Sequence, residues 1–359
     1  MRLARLLRVS SLLAPLALPA QSPANPADFK SWHLESVAPN IYAFIAPDGI
    51  TPIVSGNSIV IIGDDGVLIV DTGQFPSVAK QEIAAIKKLT PLPVRYIVNT
   101  HWHPDHWLGN GSFKAAWPNA VIITTPNTAE KMAGKAQQFL SPKYVEGVQQ
   151  YLKGYFADTV KHPEAEAAYY HYGEMQFSTF GAELASAVMT PPDLLLGDAL
   201  TVRLGKREVQ VMFLGRANTA GDAVVYVPDA KVVATGDLLV NPYPYGYGSF
   251  ISEWVETLAR VAALNATTII PGHGAVEHDT VYLGKVSRLL QTLQRQTAEA
   301  VKQGKTLKET QEQMDYAPAI AEFCGSSAWC AYVFKGNFFV PAVPRAYKEA
   351  KEGKLKDEG

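Results

Sequence analysis

The sequence predicts an α/β fold in which two β-sheets pack face to face with helices on the outside. Short apolar runs typical of strands crowd the chain before residue 126 and again after residue 198. A helix-rich stretch over residues 127–190 separates these two halves, and helical spacing returns after residue 280. Two strand-rich halves of this kind bury their apolar faces best against each other, which favours a two-sheet sandwich.

Length and composition agree with a large folded unit. The chain has 359 residues, of which 47% are hydrophobic and 18% are charged, so a substantial core is available and wholesale disorder is excluded. The formal net charge is -2. A near-neutral chain without basic runs gives no reason to expect a nucleic-acid partner.

Residues 1–20 have the organisation of a secretory signal peptide. Arginines at positions 2, 5 and 8 precede a short apolar run over residues 12–18, and Ala20 or Ala24 offers a small residue for cleavage. The apolar run is too short to span a bilayer, and no later stretch predicts a transmembrane helix. We therefore expect a periplasmic or secreted protein; an N-terminal arm that is packed or disordered is the alternative.

Two cysteines, Cys324 and Cys330, lie close together near the C-terminus. In an exported protein such a pair more often forms a disulfide that closes a small loop than it binds a metal ion. Two free buried thiols are the alternative.

The first half contains a hairpin, a helix and a strand in succession. Ser58–Ile62 and Val67–Val70 are β-branched runs joined by a Gly-Asp-Asp-Gly turn. Ser77–Leu89 has helical spacing, and Val94–Val98 is a short apolar strand that leads directly into a histidine-rich loop. The other predicted strands are Ile41–Ile45, Val121–Thr125, Leu200–Leu204, Val209–Leu214, Ala223–Val227, Lys231–Thr235 and Thr267–Ile270.

Helical patterns dominate the stretch over residues 127–190 and the C-terminal part. Within the stretch, Ala129–Leu140 and Val145–Lys161 predict helices, followed by an aromatic segment; this insertion covers one side of the site or forms a subunit contact. Ser252–Leu264 predicts a further helix, and beyond residue 280 a helix ends near Gly304. Thr306 and the glutamate three residues later form a capping box that opens another helix.

The loop after the strand Val94–Val98 contains three imidazoles and a carboxylate within six residues. In an extended chain His101 and His103 face the same way, so both can bind one ion. Pro104 turns the chain, which lets Asp105 and His106 face a second position. Neutral imidazoles and carboxylates are typical zinc ligands, so the loop predicts a metal site.

This loop resembles the His-x-His-x-Asp-His motif of the metallo-β-lactamase superfamily. Asp71-Thr72-Gly73 upstream, and Gly236-Asp237 and Pro271-Gly272-His273-Gly274 downstream, stand in the order typical of that family. The resemblance implies a four-layer αββα sandwich over residues 32–280, with the metal ions at one edge. The helix-rich insertion over 127–190 and a helical extension over 281–359 are additions to it.

The resemblance also implies roles for individual residues. His101 and His103 correspond to ligands of a first metal ion, and Asp105, His106 and His273 correspond to ligands of a second. Asp237 matches a carboxylate that bridges both ions, and Asp71 matches a residue that supports the motif loop. Asp105 would orient the metal-activated water that attacks the substrate carbonyl.

One position departs from the family pattern. The first ion usually has a third histidine, in a Gly-x-x-His-Thr segment, but Asn218 stands there in this chain. An amide oxygen is a weaker zinc ligand than an imidazole. We therefore expect one tightly bound Zn²⁺ and a second, weaker ion.

The resemblance indicates a metal-dependent hydrolase of a small-molecule ester, thioester, lactone or β-lactam. Zinc β-lactamases of this fold usually carry Cys or Ser at the position of Asp237, which shifts the expectation towards the other substrates. Ser252-Glu-Trp254 and the helical tail are similar to an exported branch linked to sulfur oxidation and quinoprotein relay proteins. An iron-dependent persulfide oxidoreductase and a non-catalytic ligand-binding member are the alternatives, and the oligomeric state stays open.

Two further features of the sequence carry open alternatives. The aromatic run from Tyr243 to Phe250 forms either an apolar wall beside the metal ions or ordinary core packing. His171, in the aromatic part of the insertion, either reaches the site or is simply half-buried.

Overall fold

The computed structural model of this chain describes residues 32–46, 55–156 and 181–356. These residues form a seven-stranded and a five-stranded sheet, which confirms the predicted two-sheet architecture. The first sheet contains, in spatial order, β1 (His33–Ala38), β2 (Ile41–Ile45), β3 (Ser58–Ile62), β4 (Val67–Val70), β5 (Val94–Val98), β6 (Val121–Thr124) and β7 (Leu194–Leu195). The second contains β8 (Ala199–Leu204), β9 (Arg207–Phe213), β10 (Ala223–Val227), β11 (Val232–Val240) and β12 (Thr268–His273), with β12 and β8 at its edges.

Helices cover both sheets and build the tail. Those of the first 200 residues are α1 (Pro76–Leu89), α2 (Asn110–Ala116), α3 (Pro126–Ala133), α4 (Pro142–Phe156) and α5 (181–186). The later ones are α6 (Ile251–Ala262), α7 (Val281–Lys302), α8 (Leu307–Gln313), α9 (Ala317–Cys324), α10 (Ala328–Phe334) and α11 (Val340–Glu352). Short 3₁₀ turns occupy Pro104–His106 and Lys135–Leu140, and a π-helical turn at Lys335–Phe339 joins α10 to α11.

The buried apolar residues form separate layers, as a four-layer sandwich requires. In β3, Ile59 and Ile61 belong to the core between the two sheets, whereas Val60 and Ile62 belong to the core beneath α1 and α2. Successive strand residues point to opposite faces, so a strand buried on both sides needs an uninterrupted apolar run. A third core lies between the second sheet and the helices α6, α7 and the tail.

Parallel strand pairs bring the chemistry-bearing residues to one edge of the sandwich. β4 and β5 are parallel neighbours in the first sheet, and β11 and β12 are parallel neighbours in the second. Asp71 directly follows β4, and the histidine motif follows β5. Asp237 lies in the second half of β11, and His273 ends β12. The carboxyl ends of all four strands therefore meet where the two sheets approach each other.

Several predicted elements need correction. The helix expected over Ala129–Leu140 is broken at Gly134, where α3 gives way to a 3₁₀ turn. The strand expected to end at Thr235 continues to Val240, because β11 keeps pairing with β12 beyond a register shift at Gly236. The sequence reasoning missed β1, β7, α2, α5 and α9 to α11. The signal peptide, His171 and the aromatic part of the insertion lie outside the described residues.

The C-terminal helices dock on the loop between β11 and α6. The backbone N–H of Gly246 donates to the carbonyl of Asn337 at 2.9 Å, and the hydroxyl of Tyr247 donates to its side-chain oxygen at 2.8 Å. Arg345 Nε donates to the carbonyl of Ser249 at 2.9 Å. The tail is thus attached to the segment that follows Asp237.

Two expectations about the C-terminal part are confirmed. Cys324 and Cys330 form a disulfide with their Cα atoms 5.4 Å apart. Thr306 and Glu309 form the predicted capping box at the start of α8. Among the helices that the structure describes, none has the length and apolar content needed to cross a bilayer. The domain boundaries at residues 32, 280 and 281 stay predictions.

Candidate metal centre

The first two motif histidines lie in contact at the end of β5. His101 Nε2 is 2.9 Å from His103 Nδ1, so both nitrogens can reach one ion. His101 is fully buried, whereas His103 is partly exposed. This is the pair that the alternation of an extended chain predicts.

A second cluster gathers the remaining motif residues around His273. The carboxylate atom Oδ2 of Asp105 lies 3.1 Å from His273 Nε2 and 3.4 Å from His106 Nε2. The two imidazole Nε2 atoms are 3.3 Å apart. Residues up to 167 or 168 positions apart in sequence thus present three ligand atoms to one point, and all three residues are buried.

Asp237 lies between the two clusters. Its Oδ2 is 3.5 Å from His101 Nε2, and its Oδ1 is 3.3 Å from the Nε2 atoms of both His106 and His273. His101, His106 and Asp237 themselves form a second group of three buried ligand atoms within the described residues. A carboxylate in this place is within reach of both clusters.

Asp71 sets the proton positions on two of these imidazoles. Its carboxylate accepts from Thr100 N at 2.8 Å and Thr100 Oγ1 at 2.8 Å, and it contacts His106 Nδ1 at 2.7 Å. A carboxylate only accepts, so His106 carries its proton on Nδ1 and keeps Nε2 free for a metal ion. Thr100 Oγ1, already donating to Asp71, accepts from His101 Nδ1 at 3.0 Å, which frees His101 Nε2 in the same way.

Asn218 is fully buried and is held by the aromatic segment that contacts His273. Its amide Nδ2 donates to the carbonyl of Tyr245 at 2.9 Å, which fixes the orientation of the side chain. Its Oδ1 has no hydrogen-bond partner among the described residues, and neither has Oδ1 of Asp237. A buried acceptor without a donor is costly, and a cation is one partner that satisfies it. These two oxygens and the imidazole nitrogens that lack a proton therefore fit a divalent metal centre.

Opposite charges dominate the electrostatics of the centre. Burial alone raises the pKa of Asp105, but the charge of His106 and hydrogen bonds from His106 and His273 outweigh it and hold that pKa well below its usual range. Burial lowers the pKa of His273, but Asp237 and Asp105 raise it to about 9. Burial and the neighbouring His101 lower the pKa of His103 to about 3. A cation bound between these atoms takes the place of the imidazole protons that the carboxylates attract.

The aromatic run after β11 divides between core and site. Tyr243 is fully buried and stacks on Phe334 of the tail, with ring centroids 4.9 Å apart. Tyr245 packs edge-on against His273, with ring centroids 5.4 Å apart. Burial, reinforced by neighbouring tyrosines and by Asp237, holds the pKa of Tyr245 well above its usual value. Core packing is thus confirmed for Tyr243, and Tyr245 contacts a proposed ligand, whereas an apolar wall beside metal ions stays a prediction.

Sequence reasoning missed a buried asparagine that holds the His273 loop. Asn57 donates from Nδ2 to the carbonyls of Pro271 and Gly274, at 3.0 and 2.9 Å. Its own backbone N–H donates to the carbonyl of Gly272 at 2.7 Å. A β-carbon on Gly272 would lie 2.1 Å from Asp237 Oδ1, so only glycine permits this approach. In the sequence, the position of Asn57 directly before the apolar run of β3 was the one signal that could have pointed to this role.

Comparisons with known proteins agree with this geometry. The family model described as the metallo-beta-lactamase superfamily matches residues 51–273, which include every proposed ligand. A linear primary-alkylsulfatase from Pseudomonas sp. is 24% identical over 274 residues, covering 72% of this chain and 50% of that protein. Metallo-beta-lactamase IND-1 from Chryseobacterium indologenes is 34% identical over 95 residues, covering 23% of this chain and 40% of that protein. The chain thus spans half or less of the length of these curated relatives.

Solved structures show the same fold. A metallo-beta-lactamase from Pontibacter korlensis superposes with a TM-score of 0.52 at 18% identity, covering 73% of this chain and 99% of that one. The sec-alkylsulfatase Pisa1 from Pseudomonas sp. superposes with a TM-score of 0.61 at 16% identity, covering 91% of this chain and 51% of that one. Because the match to the alkylsulfatase structure covers 91% of this chain, it includes much of the helical tail.

Proposed function

This chain belongs to the metallo-beta-lactamase superfamily, and from that premise we propose that it is a zinc-dependent hydrolase of a small ester-type substrate. The observation that carries the proposal is the pair of buried three-ligand groups that share His106, one completed by His101 and Asp237 and the other by Asp105 and His273. The assignment of His101, His103, Asp105, His106, Asn218, Asp237 and His273 as metal ligands is part of this proposal.

When bound, zinc ions lower the pKa of water to about 7 and polarise a substrate oxygen. The protein residues prepare the centre for that chemistry. Asp71 holds a proton on Nδ1 of His106 directly and on Nδ1 of His101 through Thr100, so that Nε2 of each imidazole is the atom available to a metal ion. Asp105 is ionised and only 7% exposed, so its carboxylate can orient a water molecule and accept its proton.

For the substrate we propose a carboxylic ester, thioester or lactone before a β-lactam, because Asp stands at position 237. The alkylsulfatase relatives add sulfate esters to the substrates that need testing. All of these reactions transfer a group from an oxygen, sulfur or nitrogen atom to water, and one centre of this kind suits them chemically.

The test is an activity screen of the zinc-loaded protein on carboxylic esters, thioesters, lactones, β-lactams and alkyl sulfates, with metal content measured on the same sample. In the same screen His273→Ala removes a proposed ligand, and His278→Ala is its matched control, because the side chain of His278 is 67% exposed. Hydrolysis that follows zinc content is the expected result. Protein that binds iron in preference to zinc and hydrolyses none of these substrates would contradict the proposal.

We also propose that the mature protein is exported and begins after the predicted signal peptide. The charged start and short apolar run of residues 1–20 support this location, and a Cys324–Cys330 disulfide suits an oxidising compartment. Mass spectrometry of the mature N-terminus tests it.

A further inference from the structure

The proposed ligands differ in how far solvent reaches them. His101 and His106 are fully buried, and Asp237 and His273 are each 2% exposed. Among the proposed ligands, only His103 is more than marginally exposed. A substrate must therefore approach over His103, next to the carboxylate of Asp105.

Three aromatic residues, which we call the aromatic strip, lie on that side: Trp102, Phe139 and Tyr144. The ring of Trp102 lies 4.8 Å from that of His103 and stacks on Phe139 at 5.8 Å. Phe139 in turn contacts Tyr144 edge-on at 5.0 Å. The strip therefore runs from the exposed ligand to the start of α4, and the helix-rich insertion supplies two of its three members.

The strip offers partly exposed aromatic surface. Phe139 is 9% exposed, whereas its two neighbours in the strip, Trp102 and Tyr144, are partly exposed. The exposed Lys135 places its Nζ 5.2 Å from the Trp102 ring centroid. Because that side chain is flexible, a ligand can displace it without moving the strip.

Tyr144 adds a hydrogen-bond donor at the far end of the strip. Within the described part of the chain its hydroxyl makes no hydrogen bond. Burial raises the pKa of this phenol to about 12, and the nearby carboxylate of Asp105 contributes to the rise. The hydroxyl therefore keeps its proton at neutral pH and can donate to a substrate atom.

We propose that the aromatic strip is the substrate-binding wall of the centre. It takes an aromatic or other planar apolar group of the substrate, while the Tyr144 hydroxyl donates a hydrogen bond to a polar substrate atom beside Asp105. This inference rests on the proposed hydrolase function and adds the chemical class of the substrate. Aromatic contacts of this kind discriminate well between planar and small groups.

The test measures equilibrium binding, so it does not need turnover. Methylphosphonate and phenylphosphonate carry the same anionic group for the metal centre and differ only in the group offered to the strip. Calorimetric titration of the zinc-loaded protein is expected to show phenylphosphonate binding about tenfold more tightly. Metal content and melting temperature are measured for each variant, to separate a loss of the wall from a loosened fold.

Two variants of Tyr144 separate the ring from the hydroxyl. Tyr144→Leu keeps apolar bulk in the surrounding cluster but removes the ring, and it is expected to reduce the phenyl preference about threefold or more. Tyr144→Phe keeps the ring, so the preference stays while both phosphonates bind about fivefold more weakly. Trp117→Leu, an aromatic substitution at the contact with Phe113, is the control and leaves both values unchanged.

An unchanged phenyl preference in Tyr144→Leu at full metal content would overturn the proposal, as would an equal loss in the Trp117→Leu control. The failure of the proposed function looks different. In that case the parent prefers phenylphosphonate as expected, which supports the wall, but hydrolyses no substrate of the screen.

Discussion

Asp71→Asn removes one oxygen from the support of the metal centre and changes little else in shape. Asp71 is 1% exposed, and its carboxylate faces three donors, two on Thr100 and one on His106. An asparagine replaces one acceptor oxygen with an amino group. If that group faces His106, the imidazole must accept at Nδ1 and carry its proton on Nε2, where the metal ligand atom is needed. If it faces the backbone N–H of Thr100 instead, two donors confront each other.

Either orientation has a cost of known size. Leaving a buried donor without an acceptor costs about 1–3 kcal/mol, which corresponds to about 5- to 150-fold in metal affinity if the metal-bound state bears all of it. Loss of a partner that orients a ligand histidine typically weakens metal binding about 10- to 100-fold. We therefore expect a loss of tens of fold in zinc affinity.

Competition with a chelator of known zinc affinity measures this loss directly. Asp65→Asn is the matched control, because that aspartate is exposed and pairs with Arg95 at the surface. The absorption spectrum of the cobalt-substituted protein adds a readout of the ligand set. Zinc affinity in Asp71→Asn within about twofold of the control would refute the proton-position argument.

Four other predictions can be tested on the same protein. His273→Ala should lose metal content and turnover together, whereas full activity would remove this residue from the ligand set. After dialysis against trace chelator, the parent should hold one ion and Asn218→His two; two equally tight ions in the parent would contradict the weak-site argument. Glu82 is buried and its pKa is raised to about 8, so the folded state keeps a proton that the unfolded state releases above its own pKa of 4.5. The free energy of unfolding should thus fall by up to about 1.4 kcal/mol per pH unit between those values, and urea titrations of Glu82→Gln at pH 5, 6 and 7 should show that slope removed. Finally, the mature protein should lack about the first twenty residues, and an intact Met1 in its mass spectrum would rule out cleavage.

Local patterns predicted the layers of this fold well, because the pattern and the packing have the same cause. β3 and β4 are uninterrupted apolar runs since both faces of the sheet are covered. The histidine pair at positions 101 and 103 also follows from local geometry, because alternate residues of an extended segment share a face. The convergence of His273 on this loop was available only from the family resemblance.

Features that depend on tertiary contacts were not predictable in this way. Gly236 has a φ of 51°, a conformation that usually interrupts a strand, yet β11 continues because β12 supplies a parallel partner on both sides. The approach of Tyr144 to the motif loop depends on how the insertion folds back. No spacing within α4 indicates that contact.

The docking of the tail links two distant parts of the chain thermodynamically. Tyr245 holds Asn218 through its carbonyl, and the next two residues are hydrogen-bonded to Asn337. Equilibrium coupling is reciprocal, so whatever free energy an ion at Asn218 contributes to the docked tail, the docked tail returns to the ion. If an ion binds at Asn218 as proposed, its occupancy and the attachment of the last helices form one linked equilibrium. A molecule that binds α11 and alters the docking of the tail would then change that occupancy without contacting the centre.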